Sequence, residues 1–170
     1  MTTVYWGQFT FETAKWRFYL AATEEGLCYI GSPNEDFQEL KTWIMKKVNP
    51  ASFVENQAEL DPYIAGINDY LTGKTETFSL PLHRFGTAFQ QAVWEASEQI
   101  PYGETRTYSE LAQQIDNPKA VRAVGTAIGA NPLLMIIPCH RVLAKDGNLT
   151  GFRAGLDMKA FLLHMEKTHT

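Results

Sequence analysis

Thr107-Tyr108-Ser109-Glu110-Leu111-Ala112-Gln113-Gln114-Ile115-Asp116-Asn117-Pro118-Lys119-Ala120-Val121-Arg122-Ala123-Val124-Gly125-Thr126-Ala127-Ile128-Gly129 carries two helix starts in quick succession. Thr107 with Glu110 three residues later is a capping box, in which each side chain satisfies the other residue's backbone N–H, and it predicts a helix through Ile115. Asn117 before Pro118 predicts an N-cap with proline at the first helical position, opening a second helix to about Gly129. Only about two residues separate the pair. Two short helices joined so tightly have the shape of a helix-turn-helix, whose second helix docks into DNA; an ordinary helical hairpin gives the same local signals. Ala120, Ala123, Gly125, Ala127 and Gly129 make the second helix a surface that a groove or another backbone can approach closely. Arg122 stands on it as the long cation after Lys119, placed to reach a phosphate or a vacated base position.

Beyond this pair, Gly129-Ala130-Asn131-Pro132 leads into Leu133-Leu134-Met135-Ile136-Ile137 and then Pro138-Cys139-His140-Arg141-Val142. Pro138 biases Ile137 toward extended geometry and predicts Cys139 at the end of a buried, rigid segment. A buried cysteine is by default an inert small hydrophobe. His140 and Arg141 change that expectation, because a neighbouring imidazole or cation lowers a thiol pKa from about 8.5 toward neutrality. Cys139 is thus the candidate nucleophile, and Cys28, without such neighbours, a core residue. Adjacent side chains of an extended chain point to opposite faces, so Cys139 and His140 are expected to communicate through a water. Glu166, in a last helix predicted over 157–167, is the candidate to orient His140; a solvated helix glutamate is the ordinary alternative.

The front half reads differently. Val4–Phe11 and Trp16–Ala22 carry strand-like apolar patterns, and Gly26–Gly31 is a third short run, so an antiparallel meander is expected. Asn34–Lys47 places Phe37, Leu40 and Ile44 at helical spacing, and Leu60–Leu71 does so with Ile64, Ile67 and Leu71. A linker with a short strand at Phe78–Leu80 follows, which puts the domain boundary between a structural domain 1–80 and a functional domain 81–170. The latter opens with a helix over Thr87–Gln99 that aligns Phe89, Val93 and Ala96 and stops at Ile100-Pro101-Tyr102-Gly103. The fold class expected is α+β: a small antiparallel sheet with helices, then a mostly helical domain.

Charge follows the same division. The chain has 170 residues and a net charge of -4, but residues 1–80 hold 6 Lys and Arg against 11 Asp and Glu, while 81–170 hold 9 against 8. A neutral-to-basic rear half can present a local cationic patch to phosphates whatever the total. With 45% hydrophobic and 20% charged residues the composition is globular. The start lacks a signal pattern and no apolar run approaches the ~20 residues that span a bilayer, so a cytoplasmic protein with no membrane partner is expected. The two cysteines lack the paired spacing of zinc sites or disulfide frameworks, and both are read as reduced thiols.

The ordered set Pro101-Tyr102-Gly103-Glu104, Tyr108, Asn117-Pro118-Lys119-Ala120, Arg122-Ala123-Val124-Gly125, Asn131-Pro132, Ile137-Pro138-Cys139-His140-Arg141-Val142 and Gly155-Leu156 with Lys159 closely resembles the 6-O-alkylguanine-DNA alkyltransferases. The match covers about 80 to 170; the front half matches in size and layout, which implies a ribonuclease H-like domain. The resemblance implies direct reversal of DNA damage by a single-turnover transfer of an alkyl group from 6-O-alkylguanine to Cys139, with 4-O-methylthymine as a second candidate lesion. It implies His140 as water-linked base, Glu166 as its partner, Asn131 as hinge, Tyr108 beside the 3′ phosphate and the flipped base, and Arg122 in the space the base leaves. Ala120, Ala123 and Gly125 would face the minor groove of double-stranded DNA. Met135, Pro138, Val142, Phe152 and Arg153 would line the substrate pocket. Phe152-Arg153-Ala154-Gly155 departs from the tyrosine-bearing motif common in the family, which loses a phenolic hydroxyl and sets Arg153 beside the base. The implied protein is a monomer, with cooperativity on DNA left open, and needs no cofactor and no metal.

Three other classes use part of this pattern. A lesion sensor would flip the base without reacting, but its relatives carry another residue in place of Cys139. A cysteine hydrolase or thiol peroxidase would need oxyanion-hole glycines that are not evident near Cys139. A transcription regulator would use the helix pair and leave the thiol without a task.

Overall fold

The computed structural model describes residues 1–147 and 152–170. Internal contacts divide the chain into Met1–Phe85 and Gly86–Thr170.

In the first unit the apolar runs form β1 (Thr2–Phe11), β2 (Trp16–Thr23) and β3 (Gly26–Ile30), each antiparallel to the next. The sequence predicts an antiparallel sheet, whereas the structure has a mixed one: β4 (Ala51–Glu55) joins the free edge of β1 in parallel, giving the order β3-β2-β1-β4. Ala-Ser-Phe-Val-Glu is too short and too polar at one end to announce a strand between two helices. Helix α1 (Phe37–Lys47), capped by Asp36, buries Leu40 and Ile44 against Val4, Ala21, Cys28 and Tyr29. Helix α2 (Gln57–Leu71) buries Leu60, Tyr63, Ile67, Tyr70 and Leu71, so its inner face is turned from the expected stripe and Ile64 is half-buried. The strand expected at Phe78–Leu80 does not form; the chain instead makes a single bridge at Leu82, with Leu27 N donating to Pro81 O (3.0 Å) and His83 N donating to Leu27 O (2.8 Å). Cys28 has no exposure and donates to Ala21 O at 3.4 Å, the core residue that its neighbours predict.

The second unit begins with α3 (Ala88–Glu98), whose Thr87–Gln90 capping box is complete and which buries Val93, Trp94, Ala96 and Ser97. The strand pair β5 (Arg106–Thr107) and β6 (Val142–Leu143) is parallel. Thr107 also caps α4 (Tyr108–Gln114) through the predicted box with Glu110. Helix α5 is shorter than the sequence predicts: it spans Val121–Gly129 with Ala120 at the cap position and no side-chain cap bond. Asn117-Pro118-Lys119-Ala120 closes a turn of its own, Ala120 N to Asn117 O at 3.0 Å, so the connection between α4 and α5 covers 115–120 instead of two residues. The two helices pack against each other and against α3, with Trp94 Nε1 donating to Ala127 O at 2.9 Å. The last helix, α6 (Leu156–Thr168), buries Met158, Lys159, Leu162, Met165 and Glu166. Among the described residues no helix is long and apolar enough to cross a membrane.

Candidate active site

The segment between α5 and β6 is built around two residues. Asn131, 1% exposed, accepts from Leu133 N through Oδ1 (2.8 Å) and donates from Nδ2 to Ile137 O (2.9 Å), so one amide ties both ends of the apolar run. Between these ties Met135 has φ 72, a left-handed conformation that costs a non-glycine residue about 1–3 kcal/mol unless its surroundings impose it. Pro138 then has φ -80 and ψ 57, and Cys139 N donates to Ile137 O at 2.7 Å. That is an inverse γ-turn, which proline's fixed φ favours.

Cys139 stands at the end of the buried run, as the sequence predicts, but it opens a 3-10 turn, Cys139–Arg141, in place of extended backbone. Successive side chains of such a turn diverge by about 120°, so Cys139 and His140 leave the backbone in different directions. Cys139 is 0% exposed. Its thiol is not lowered, as the adjacent cations predict: burial pushes it up to about 12, with the Glu98 charge adding to this, against the pull of a Ser97 hydrogen bond, the Lys159 charge and an Asn131 hydrogen bond. Desolvation of a thiolate outweighs neighbouring charge in so dry a site.

His140 and Glu166 meet as expected. Nε2 of His140 lies 2.7 Å from Glu166 Oε2, and both side chains are buried. The carboxylate can only accept, so Nε2 carries the hydrogen and Nδ1 is the basic nitrogen of the ring. Burial pulls the imidazole pKa below its usual value, opposed by the hydrogen bond and charge of Glu166.

Arg141 is the residue the sequence misplaces. Its guanidinium does not serve the thiol; Nε donates to Glu166 Oε1 (2.8 Å), Nη2 to Glu166 Oε2 (2.9 Å) and Nη1 to Ile100 O (2.8 Å). Gly103 N donates to Glu166 Oε1 at 3.3 Å. The carboxylate is thereby neutralised by a bidentate fork and fixed by four donors. Lys159 is 0% exposed, donates to Val142 O at 2.6 Å and sits 6.0 Å from the Tyr108 ring centre; burial lowers its pKa to about 8 although the Cys139 charge raises it.

The remaining predicted residues divide into two groups. Met135, Pro138, Val142 and Phe152 are buried around the turn, and the Phe152 ring meets His140 edge-on at 6.4 Å. Arg153, the other residue expected at the pocket, donates from Nε to Asn131 O at 2.9 Å, a backbone acceptor just past the end of α5. On α5, Arg122 and Ala123 are exposed and Ala120 and Gly125 half-buried, opposite the buried Val124, Ala127 and Ile128. A Cβ built on Gly125 would meet only the Tyr108 ring, at 3.9 Å, so internal packing does not demand glycine there. Among the described residues no group of three or more His, Cys, Asp and Glu could hold a metal ion.

Two family models match the chain: 6-O-methylguanine DNA methyltransferase, ribonuclease-like domain, over residues 4–83, and 6-O-methylguanine DNA methyltransferase, DNA binding domain, over 88–168. The inducible methylated-DNA–protein-cysteine methyltransferase of Bacillus subtilis (strain 168) is 48% identical over 165 residues, 97% of this chain and 91% of that protein. A methylated-DNA–protein-cysteine methyltransferase of Methanosarcina acetivorans is 45% identical over 92% of this chain and 95% of its own length. The crystal structure of Mycobacterium tuberculosis O6-methylguanine methyltransferase superposes with a TM-score of 0.82 at 34% identity, covering 98% of this chain and 94% of that one. The same organism's OGT in complex with DNA superposes at 0.81. With both halves matched in order, the α+β architecture accounted for and a cysteine–histidine–glutamate set at its centre, the chain belongs to the methylated-DNA–protein-cysteine methyltransferase family.

Proposed function

We propose that this protein repairs DNA by direct reversal, taking the alkyl group of a 6-O-alkylguanine onto Cys139. The observation that carries the choice of residue is the bonded pair beside it: His140 with its Nε2 hydrogen committed to Glu166 at 2.7 Å, hence with a basic Nδ1 one residue from the sulfur. Cys28, the other thiol, lies in the apolar core of the first unit with its Sγ donating to Ala21 O.

The reaction balances without a cofactor. The thiol proton passes to Nδ1 of His140 through a water, since the divergent turn gives the two side chains no direct route. The imidazolium so formed is stabilised by Glu166. The sulfur then attacks the alkyl carbon, forming the S–C bond as the C–O bond breaks and its electron pair stays on the guanine oxygen. The base takes a proton back and leaves as guanine; Cys139 keeps a thioether. Nothing in the site hydrolyses a thioether, so each molecule acts once.

A base stacked in a duplex cannot reach a wholly buried sulfur, so the nucleotide must flip out, at a cost of a few kcal/mol that is least for a poorly paired lesion. Helix α5 presents its exposed side to the minor groove of double-stranded DNA, where Arg122 fills the vacated position, Ala123 and Gly125 permit close approach, and Tyr108 crowds the flipped nucleotide. The unneeded glycine at 125 supports this reading, because the missing side chain serves something outside the fold. The acting species is taken as a monomer, every residue of the set belonging to one unit of one chain.

The test is mass analysis after incubation with a duplex containing one 6-O-methylguanine. One methyl group is expected on the peptide holding Cys139, none on that holding Cys28, and none in Cys139→Ala. A protein that binds the lesion tightly and gains no mass would be a sensor.

A further inference from the structure

Arg106 lies where three parts of the site meet. In β5 its backbone is paired with Val142, three residues beyond Cys139. Thr107, which follows it, is extended, with φ -87 and ψ 162, so Arg106 and Tyr108 on either side of it leave the chain on one face. The Tyr108 ring reaches α5, where it lies 3.9 Å from the place a Cβ on Gly125 would take. Arg106 is thereby set on the face that Tyr108 turns toward α5, beside the strand that leaves the reactive turn.

Its guanidinium is loosely held there. Nη2 donates to Glu104 Oε1 at 3.3 Å and Nη1 to Thr105 O at 2.8 Å, and the two charged side chains are 36% and 54% exposed. An ion pair so open to water gains little, because solvent screens the charges and two long side chains lose rotamer freedom. Arg141 in the same unit shows the contrast: it is buried and forked on Glu166 at 2.8 and 2.9 Å. Arg141 carries structure, and Arg106 keeps a charge that a stronger anion can claim.

We propose that Arg106 binds a backbone phosphate beside the flipped nucleotide, and that Glu104 holds its guanidinium at rest and gives it up when duplex DNA docks. This rests on the reading that α5 and Tyr108 face the DNA. A flipping nucleotide swings about its own phosphates, so a cation on the neighbouring phosphate steadies the strand while the base turns; such a contact positions and carries no sequence information. The guanidinium fork meets two phosphate oxygens with parallel hydrogen bonds, and each phosphate neutralised on a duplex releases condensed counterions, a gain that the Glu104 pair cannot match. The displaced carboxylate is more than half exposed and turns to water.

The test measures affinity for an unmodified duplex by fluorescence anisotropy across a series of salt concentrations, after thermal melts establish that each variant is folded. In Arg106→Gln the fall of log affinity with log salt is shallower by about 0.9, the value of one phosphate contact, and affinity at about 0.1 M salt drops roughly eightfold. Arg106→Lys, which keeps the charge, retains the parental slope. Glu104→Gln binds up to about fivefold tighter, the range of an exposed ion pair, and this gain vanishes in Glu104→Gln with Arg106→Gln. A parental slope in a folded Arg106→Gln overturns the phosphate contact, and a Glu104→Gln gain that persists without Arg106 shows plain repulsion and overturns the hold. Parental binding by Gly125→Leu would instead overturn the placing of α5 on DNA, and the slope of Arg106→Gln would still report that residue's own phosphate. Methyl transfer enters none of these measurements, so its absence would overturn Cys139 as acceptor and not Arg106.

Discussion

Asn131 and Cys139 share an acceptor: the side-chain Nδ2 of one and the backbone N–H of the other converge on the carbonyl of Ile137, at 2.9 and 2.7 Å. The amide at the end of α5 therefore sets the turn that aims the sulfur, although the two residues are eight positions apart. Asn131→Asp keeps the acceptor for Leu133 N and replaces the donor with an oxygen facing Ile137 O. Asn131→Ala loses both bonds in a buried setting, where each orphaned partner costs about 1–3 kcal/mol. We expect Asn131→Ala to lose about 2–4 kcal/mol in urea unfolding and Asn131→Asp to lose transfer rate at least as severely, on the same bond count. A single-turnover rate for Asn131→Asp equal to the parent's would show that the shared carbonyl does not matter.

Arg141 and Glu166 form a buried ion pair with two nearly parallel hydrogen bonds, and His140 shares the same carboxylate. Removing one partner leaves the other charge stranded, a loss of about 3–5 kcal/mol, whereas replacing both by apolar groups costs far less. Glu166→Gln should therefore be strongly destabilised and slow. Glu166→Gln with Arg141→Met should recover much of the stability but not the rate, because His140 still lacks the carboxylate that stabilises its imidazolium. Guanidinium unfolding and single-turnover transfer separate the two effects. Recovery of rate along with stability would make Glu166 merely structural.

The parts of this site that were legible in the sequence are those governed by local chemistry. Thr107 and Glu110 sit within one turn, so their capping box could be read directly, as could the breakers at Pro101 and Gly103. Cys139, His140 and Glu166 can be picked out from their types and order, Asn131 enters through the family resemblance, and the structure bonds His140 to Glu166 and Asn131 to the carbonyl before Pro138. What the sequence misjudged depends on distant partners. Arg141 reads as a neighbour of the thiol, yet its carboxylate lies 25 residues on. Pro118 reads as a helix start, yet the turn closed by Asn117 O delays α5 to Val121. The same holds for β4, whose pairing with β1 spans half a domain.

Gly125 is a helix-interior glycine whose Cβ would find ordinary contact distance to Tyr108 and nothing closer. Replacing it by alanine should raise stability by about 0.5–1 kcal/mol, the usual cost of glycine in a helix. If the bare backbone instead serves a close approach to DNA, the same change weakens duplex binding. Thermal melts and fluorescence anisotropy on one variant, Gly125→Ala, give both numbers; Gly125→Leu should sharpen the binding loss. A more stable variant that binds duplex DNA as tightly as the parent would remove α5 from the interface.

The titrating groups at the centre predict how stability depends on pH. The folded thiol of Cys139 keeps its proton up to about 12 because burial disfavours the thiolate, while an unfolded cysteine loses it near 8.5. Its contribution is thus fully present below about pH 8.5 and is lost as pH rises toward 12. His140 works at the other end. Burial holds its folded pKa below the usual value, so below about pH 6.5 the unfolded chain takes up a proton that the folded one resists, and stability falls with pH. Lys159, lowered to about 8, adds stability as pH rises between about 8 and 10.4, which is why the comparison must be with a variant and not with a flat line. Thermal midpoints of the parent, Cys139→Ala and His140→Gln across the pH range should show the alkaline decline weakened in the first variant and the acid decline weakened in the second. An alkaline decline as steep in Cys139→Ala as in the parent would mean that the buried thiol is not held protonated by the fold.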